Sequence, residues 1–228
     1  DRGLLVGWQS GGIITNVSVD GVIDATGNSP TYNGGLVGIK TAGYIYNSVA
    51  AVNIQLGLNA FSNGGLVGAQ TGGSIESSYA NSNLTFESNA SHNGGLVGAL
   101  SGGSISNSYS TGSLTFNDYA GKKSTHNGGL VGIAQGRIVN CYTISKLQGG
   151  VANGGLVGDT TGGGGSCTNS YWDIDVTGQS TSAMCSNGGR STVQMNSQLN
   201  YTGWDFNNIW VMGKESYQYP ILRFVQNN

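Results

Sequence analysis

Short runs of alternating apolar and polar residues recur along most of the chain, as in Ile105-Ser106-Asn107-Ser108-Tyr109. A period of two marks a strand with one buried face. The runs are too short for helices, and they end at glycines, which supply the positive-φ corners of tight turns. They also repeat. Asn-Gly-Gly-Leu-Val-Gly begins at Asn33, Asn63, Asn93, Asn127 and Asn153, at intervals of 30, 30, 34 and 26 residues, and a degenerate copy opens at Gly3. A second block follows each copy, as in Gly-Gly-Ser-Ile-Glu-Ser-Ser-Tyr at 72–79 and Gly-Gly-Ser-Ile-Ser-Asn-Ser-Tyr at 102–109.

Aligned, the copies form apolar columns. Leu5, Leu36, Leu66, Leu96, Leu130 and Leu156 make one, and Ile14, Ile45, Ile75, Ile105, Ile138 and Cys167 a second. Ile23, Ile54, Leu84, Leu114, Leu147 and Val176 make a third. Tyrosine recurs at 79, 109, 142 and 171, where the first two copies have Ser18 and Val49. Three short strands per repeat predict one triangular coil. Stacked coils set like residues above like, about 4.8 Å apart, and no coil buries its apolar face alone. The predicted fold is all-β: a right-handed parallel β-helix, or β-solenoid, of about six coils. Asn16, Asn47, Asn107, Asn140 and Asn169 lie two residues beyond the isoleucine column, with Ser77 interrupting. Counted along a strand they share its inner face, so an inward asparagine ladder at a bend is expected.

The period stops after Gly178. Residues 1–178 are therefore read as the solenoid, and 179–228 as a cap packed on the last coil. Trp172, Trp204 and Trp210 belong to this end, and bulky aromatics suit the covering of an open core and strand edge. Cys185 lies in the segment that should fold over Cys167, so a Cys167–Cys185 disulfide is a candidate, with Cys141 facing outward and unpaired. The first coil begins almost at its leucine. Its open end is expected to stack on another copy or on an upstream domain.

Charged residues make up 9% of the chain and the net charge is −2, against about 25% charged in ordinary domains. No basic stripe invites nucleic acid. No apolar run suits membrane insertion. Catalysis on polysaccharides would need clustered carboxylates, yet Asp20 and Asp173 share a column at opposite ends of the array. Asp173 and Asp175 alternate on one strand and are read as turn acids rather than a calcium pair. His92 and His126 stack in one column without enough partners for a metal, and no cofactor is expected. Tyr44 and Tyr46 flank Ile45 on the outer side. With Tyr32 they form a candidate patch for sugar rings.

The five Asn-Gly-Gly-Leu-Val-Gly strings and the tyrosine blocks resemble the GLUG family, over about residues 1–180. Such repeats occur in bacterial and archaeal surface proteins, adhesins among them. The resemblance implies an extracellular or cell-surface place and supplies no catalytic residue. The expected function is a non-enzymatic structural or adhesion module, or a filament subunit. A carbohydrate-binding β-helix and a polysaccharide-active enzyme are the alternatives.

Overall fold

The computed structural model describes residues 2–214 and 218–226. They form a parallel β-solenoid of about six coils, its three long sheets running along the stack. The first sheet stacks Val6–Gln9, Val37–Lys40, Val67–Gln70, Val97–Leu100, Val131–Ala134 and Val157–Asp159. The second stacks Ile13–Thr15, Tyr44–Tyr46, Ser74–Glu76, Ser104–Ser106, Arg137–Val139 and Ser166–Thr168. The third runs through Ser18–Ala25, Val49–Leu56, Tyr79–Glu87, Tyr109–Asn117, Tyr142–Thr143, Tyr171–Asp173 and Gly189–Arg190, with Lys146–Gln148 paired beside it.

Left-handed backbone makes the corners. The first and second sheets meet at Gly43 (φ 77°) and its equivalents, the second and third at Asn47 (φ 47°) and its equivalents. The third sheet returns to the first past Ser62 (φ 55°), His92 (φ 57°) and His126 (φ 56°). The glycine after each motif asparagine serves close approach: a Cβ on Gly64 would collide with the carbonyl of Val67.

Register holds across the stack. Ile14, Ile45, Ile75, Ile105, Ile138 and Cys167 are successive partners in the second sheet. The leucines from Leu36 to Leu156 and the isoleucines from Ile45 to Ile138 are buried in one core. Ile23, Ile54, Leu84 and Leu114 anchor a second lobe with stacked Phe86 and Phe116. The third column ends at Leu147. Val176, expected next in it, lies in a helical turn, Ile174–Thr177, capped by Asp173.

The asparagine ladder lies elsewhere than expected. Asn16, Asn47, Asn107, Asn140 and Asn169 occupy a left-handed corner, with φ between 47° and 55°. A strand's alternation does not carry through such a corner. Asn16 is exposed, and among the described residues one amide pair joins this column, Asn140 Nδ2 to Asn107 Oδ1 at 3.4 Å. The buried ladder belongs to the motif asparagines. Nδ2 of Asn33, Asn63, Asn93 and Asn127 each donates to Oδ1 of the next, at 2.8, 2.9, 3.0 and 3.2 Å. The same oxygens accept the preceding motif asparagine's backbone N–H. Each rung thus satisfies buried backbone and amide together.

The residue after each left-handed corner turns inward. Ser48, Ser78, Ser108, Cys141 and Ser170 stand there, all buried. Each donates to the carbonyl two residues before it. The Ser78, Ser108 and Ser170 hydroxyls also accept N–H from Ser48, Ser78 and Cys141. Cys141, expected to face outward, is thus a buried member of a serine column. Burial pushes its thiol up to about 12.

Candidate functional site

The two ends of the solenoid differ. At the C-terminal end the column Ala50, Ala80, Ser110, Thr143 finishes in Trp172. Its fully buried indole lies against Gly155, inside the last coil, and Nε1 donates to the Gln179 carbonyl at 2.8 Å. Residues 179–190 then close the end. Gly155 N–H donates to Thr181 O, Ala183 N–H to Val157 O, and Val157 N–H to the Ser182 hydroxyl. Gly189–Arg190 pairs with the edge of the last coil. Cys167 and Cys185 form a disulfide, with Cα atoms 5.5 Å apart.

The rest of the cap does not stop at the last coil. It runs back along the flank, over the tyrosine column. Tyr79 and Tyr109 stack at 4.6 Å, and Tyr109 and Tyr142 at 4.9 Å. Met195, Tyr201, Trp204, Trp210, Tyr219 and Leu222 bury themselves against that stack. Asp173 ties the two halves together. It is fully buried; its carboxylate accepts from Asp175 N, Val176 N, the Thr192 hydroxyl and the Tyr219 hydroxyl. Asp175 accepts from Thr192 N. Both acids thus serve as capping acceptors, and Asp173 is not the solvated turn acid expected.

The N-terminal end is open. Val6–Gln9, Ile13–Thr15 and Ser18–Ala25 are the terminal strands of the three sheets, each with one unpaired edge. Leu5 is 47% exposed, while Leu36, Leu66, Leu96, Leu130 and Leu156 in its column are 0% exposed. Around this end Trp8, Ile13 and Val22 are 67%, 70% and 61% exposed. Further along, the outer position of Ile13 becomes Tyr44, Ser74, Ser104, Arg137 and Ser166. The outer apolar rim therefore belongs to the first coil.

The sugar-patch tyrosines are dispersed. Tyr44 and Tyr46 are exposed on the second sheet, whereas Tyr32 sits at a left-handed corner (φ 52°) before the first sheet. Among the described residues no ring contact joins Tyr32 to either. His92 and His126 do stack, at 5.8 Å. His92 Nε2 also meets the Asp159 carboxylate at 3.0 Å, an acid that sequence spacing had not brought near. Burial tends to raise Asp159. Hydrogen bonds from Thr161, His92 and Thr160 overcome that and hold it at about 2. Among the described residues no group of three or more His, Cys, Asp or Glu side chains is placed to hold a metal ion.

Lys40 is a charge the sequence did not mark as buried. It is 0% exposed, and its ammonium donates to the carbonyls of Gly43 (2.7 Å) and Gly72 (2.8 Å). Among the described residues no carboxylate pairs with it. Desolvation lowers its pKa to about 8. Gln9 and Gln70 fill the same position on adjacent coils and also donate to carbonyls.

The stacked columns define a glycine-rich β-solenoid repeat protein. Within that class the chain carries a named repeat: residues 89–115 match the family described as the GLUG motif. A putative Gly-rich membrane protein of Evansella cellulosilytica is 35% identical over 89 residues, which are 37% of this chain and 10% of that protein. The chain thus matches about a tenth of that relative's length. No solved structure matches. Among the described residues no helix is long and apolar enough to cross a membrane.

Proposed function

We infer that this chain is a non-enzymatic structural module of a microbial surface protein, a rigid spacer whose open N-terminal coil stacks on another parallel coil. The exposure of Leu5, set against the full burial of its five column equivalents, carries the reading. The uncovered surface is a cross-section of the solenoid. A parallel coil with leucine and isoleucine in register fits it and satisfies the three strand edges. The covered C-terminal end weighs against head-to-tail polymerisation, because a second copy would meet residues 179–190 instead of an open core.

An extracellular place is supported by the GLUG motif and by the disulfide, a bond of oxidising compartments. Protease treatment of intact cells should cleave the protein if it is displayed, and full protection would contradict that place. Stacking is tested by adding, ahead of Asp1, one coil copied from residues 31–60. The expected outcome is a single cooperative unfolding transition at higher temperature and loss of Leu5 solvent exposure, read from its methyl signals. An added coil that stays protease-sensitive and leaves Leu5 exposed would overturn the stacking role.

A further inference from the structure

The tyrosine column stops one ring short. Tyr79 is stacked on Tyr109 with planes 2° apart. On the preceding coils its register partners are Val49 and then Ser18, neither of which carries a ring. A cleft of about 500 Å³ lies at that break, between the solenoid and the returning C-terminal segment. Asn16, Asn47, Val49 and Tyr79 form one wall, and Phe224 and Val225 the other. A second cleft, of about 270 Å³, continues past Asn47 and Phe224 towards Tyr46 and Arg223. Small-molecule sites commonly span about 300–1,000 Å³ and pair apolar walls with a few polar groups.

Two amides of the groove are uncommitted. Among the described residues no side-chain hydrogen bond engages the amide of Asn16 or Asn47, although Asn47 is half-buried. Arg223 Nε is buried without a partner, while its Nη2 donates to the Phe206 carbonyl. The charge of Arg223 is partly answered: hydrogen bonds from Asn208, with a contribution from Arg223, hold Asp205 below the usual carboxylate range. A ring-sized opening over a tyrosine, flanked by free amides and little net charge, matches one ligand chemistry. We propose that this groove binds a neutral saccharide chain, one pyranose stacking over Tyr79 in the place a ring at position 49 would take, with Asn16 and Asn47 bonding its hydroxyls. Aromatic rings hold sugars by their apolar C–H faces, while amides both donate and accept. The site takes Asn16 from the flank of the first coil but none of that coil's open face, so it stands independently of the stacking role.

The test titrates the isotope-labelled full chain with cellohexaose, laminarihexaose, xylohexaose and chitohexaose at millimolar concentration, followed by backbone-amide NMR. At least one should saturate and shift the amides of Asn47, Tyr79 and Phe224. Val49→Tyr continues the stack and fills the opening. It should weaken that binding about tenfold or more while leaving the melting temperature equal or higher. Asn47→Gly, which suits the left-handed corner, should weaken it severalfold. No saturating shift with any of the four sugars would overturn the proposal. So would shifts away from the groove, binding unchanged in Val49→Tyr, or a tyrosine-bearing peptide binding more tightly than every sugar.

Discussion

Individual side chains carry unequal shares of this fold. Asn93 accepts the Asn63 backbone N–H and amide on one side and donates to Asn127 on the other, all within 3.0 Å. Asn93→Ala should cost about 2–3 kcal/mol, because it strands buried donors on the neighbouring rung. Asn107→Gly, at the left-handed corner, should change stability by less than about 1 kcal/mol. Urea unfolding of both variants decides which column is the ladder. The motif asparagines are in view in the sequence, once in each of the five full copies. Parity counting favoured the wrong set, since it ran two residues past isoleucine into a corner where alternation fails. Lys40 makes a second prediction at this scale. Its folded pKa of about 8 lies below the ordinary lysine value of 10.5. The unfolded chain therefore binds more protons between those values, and stability should rise as pH rises through that window. Lys40→Gln, matching Gln9 and Gln70, should remove the rise in denaturation curves taken from pH 7 to 11. A rise that persists in Lys40→Gln would assign it to other groups.

Among the elements, the repeat coils were legible and the cap was only partly so. Leucine recurs in every copy and isoleucine in all but the last, so each repeat confirms its neighbours. Residues 179–226 occur once, and no period reports where a single-copy segment goes. Its aromatic content pointed to a cap. The turn back along Tyr79, Tyr109 and Tyr142 depends on contacts with a column the sequence displays but does not connect to Trp204, Trp210 and Tyr219. The Cys167–Cys185 bond closes an 18-residue separation at the join. Thiol titration in denaturant without reductant should find one free thiol, that of Cys141. Titration of the folded protein at pH 8 should find that thiol unreactive, given burial and its elevated pKa. Reduction should lower stability by about 3 kcal/mol in the chain-entropy picture. Three titratable thiols in denaturant would remove the bond.

At the level of the whole molecule, the first coil and the last present different surfaces. The N-terminal coil offers unpaired edges and an apolar rim. The other end is plugged by Trp172 and covered. Negative-stain microscopy of the purified chain should show short single rods or pairs joined at one end. Long ordered fibres would mean that the C-terminal cover opens to admit a second copy, and would contradict a closed end. The stack underlies all of this: Thr15, Tyr46, Glu76, Ser106, Val139 and Thr168 lie one above another, in register. Spin labels at Thr15→Cys and Thr168→Cys, read by electron–electron double resonance, test it most directly. Five steps of about 4.8 Å give an expected single narrow distance near 24 Å. A broad distribution, or a narrow one well beyond about 40 Å, would contradict the stacked coils.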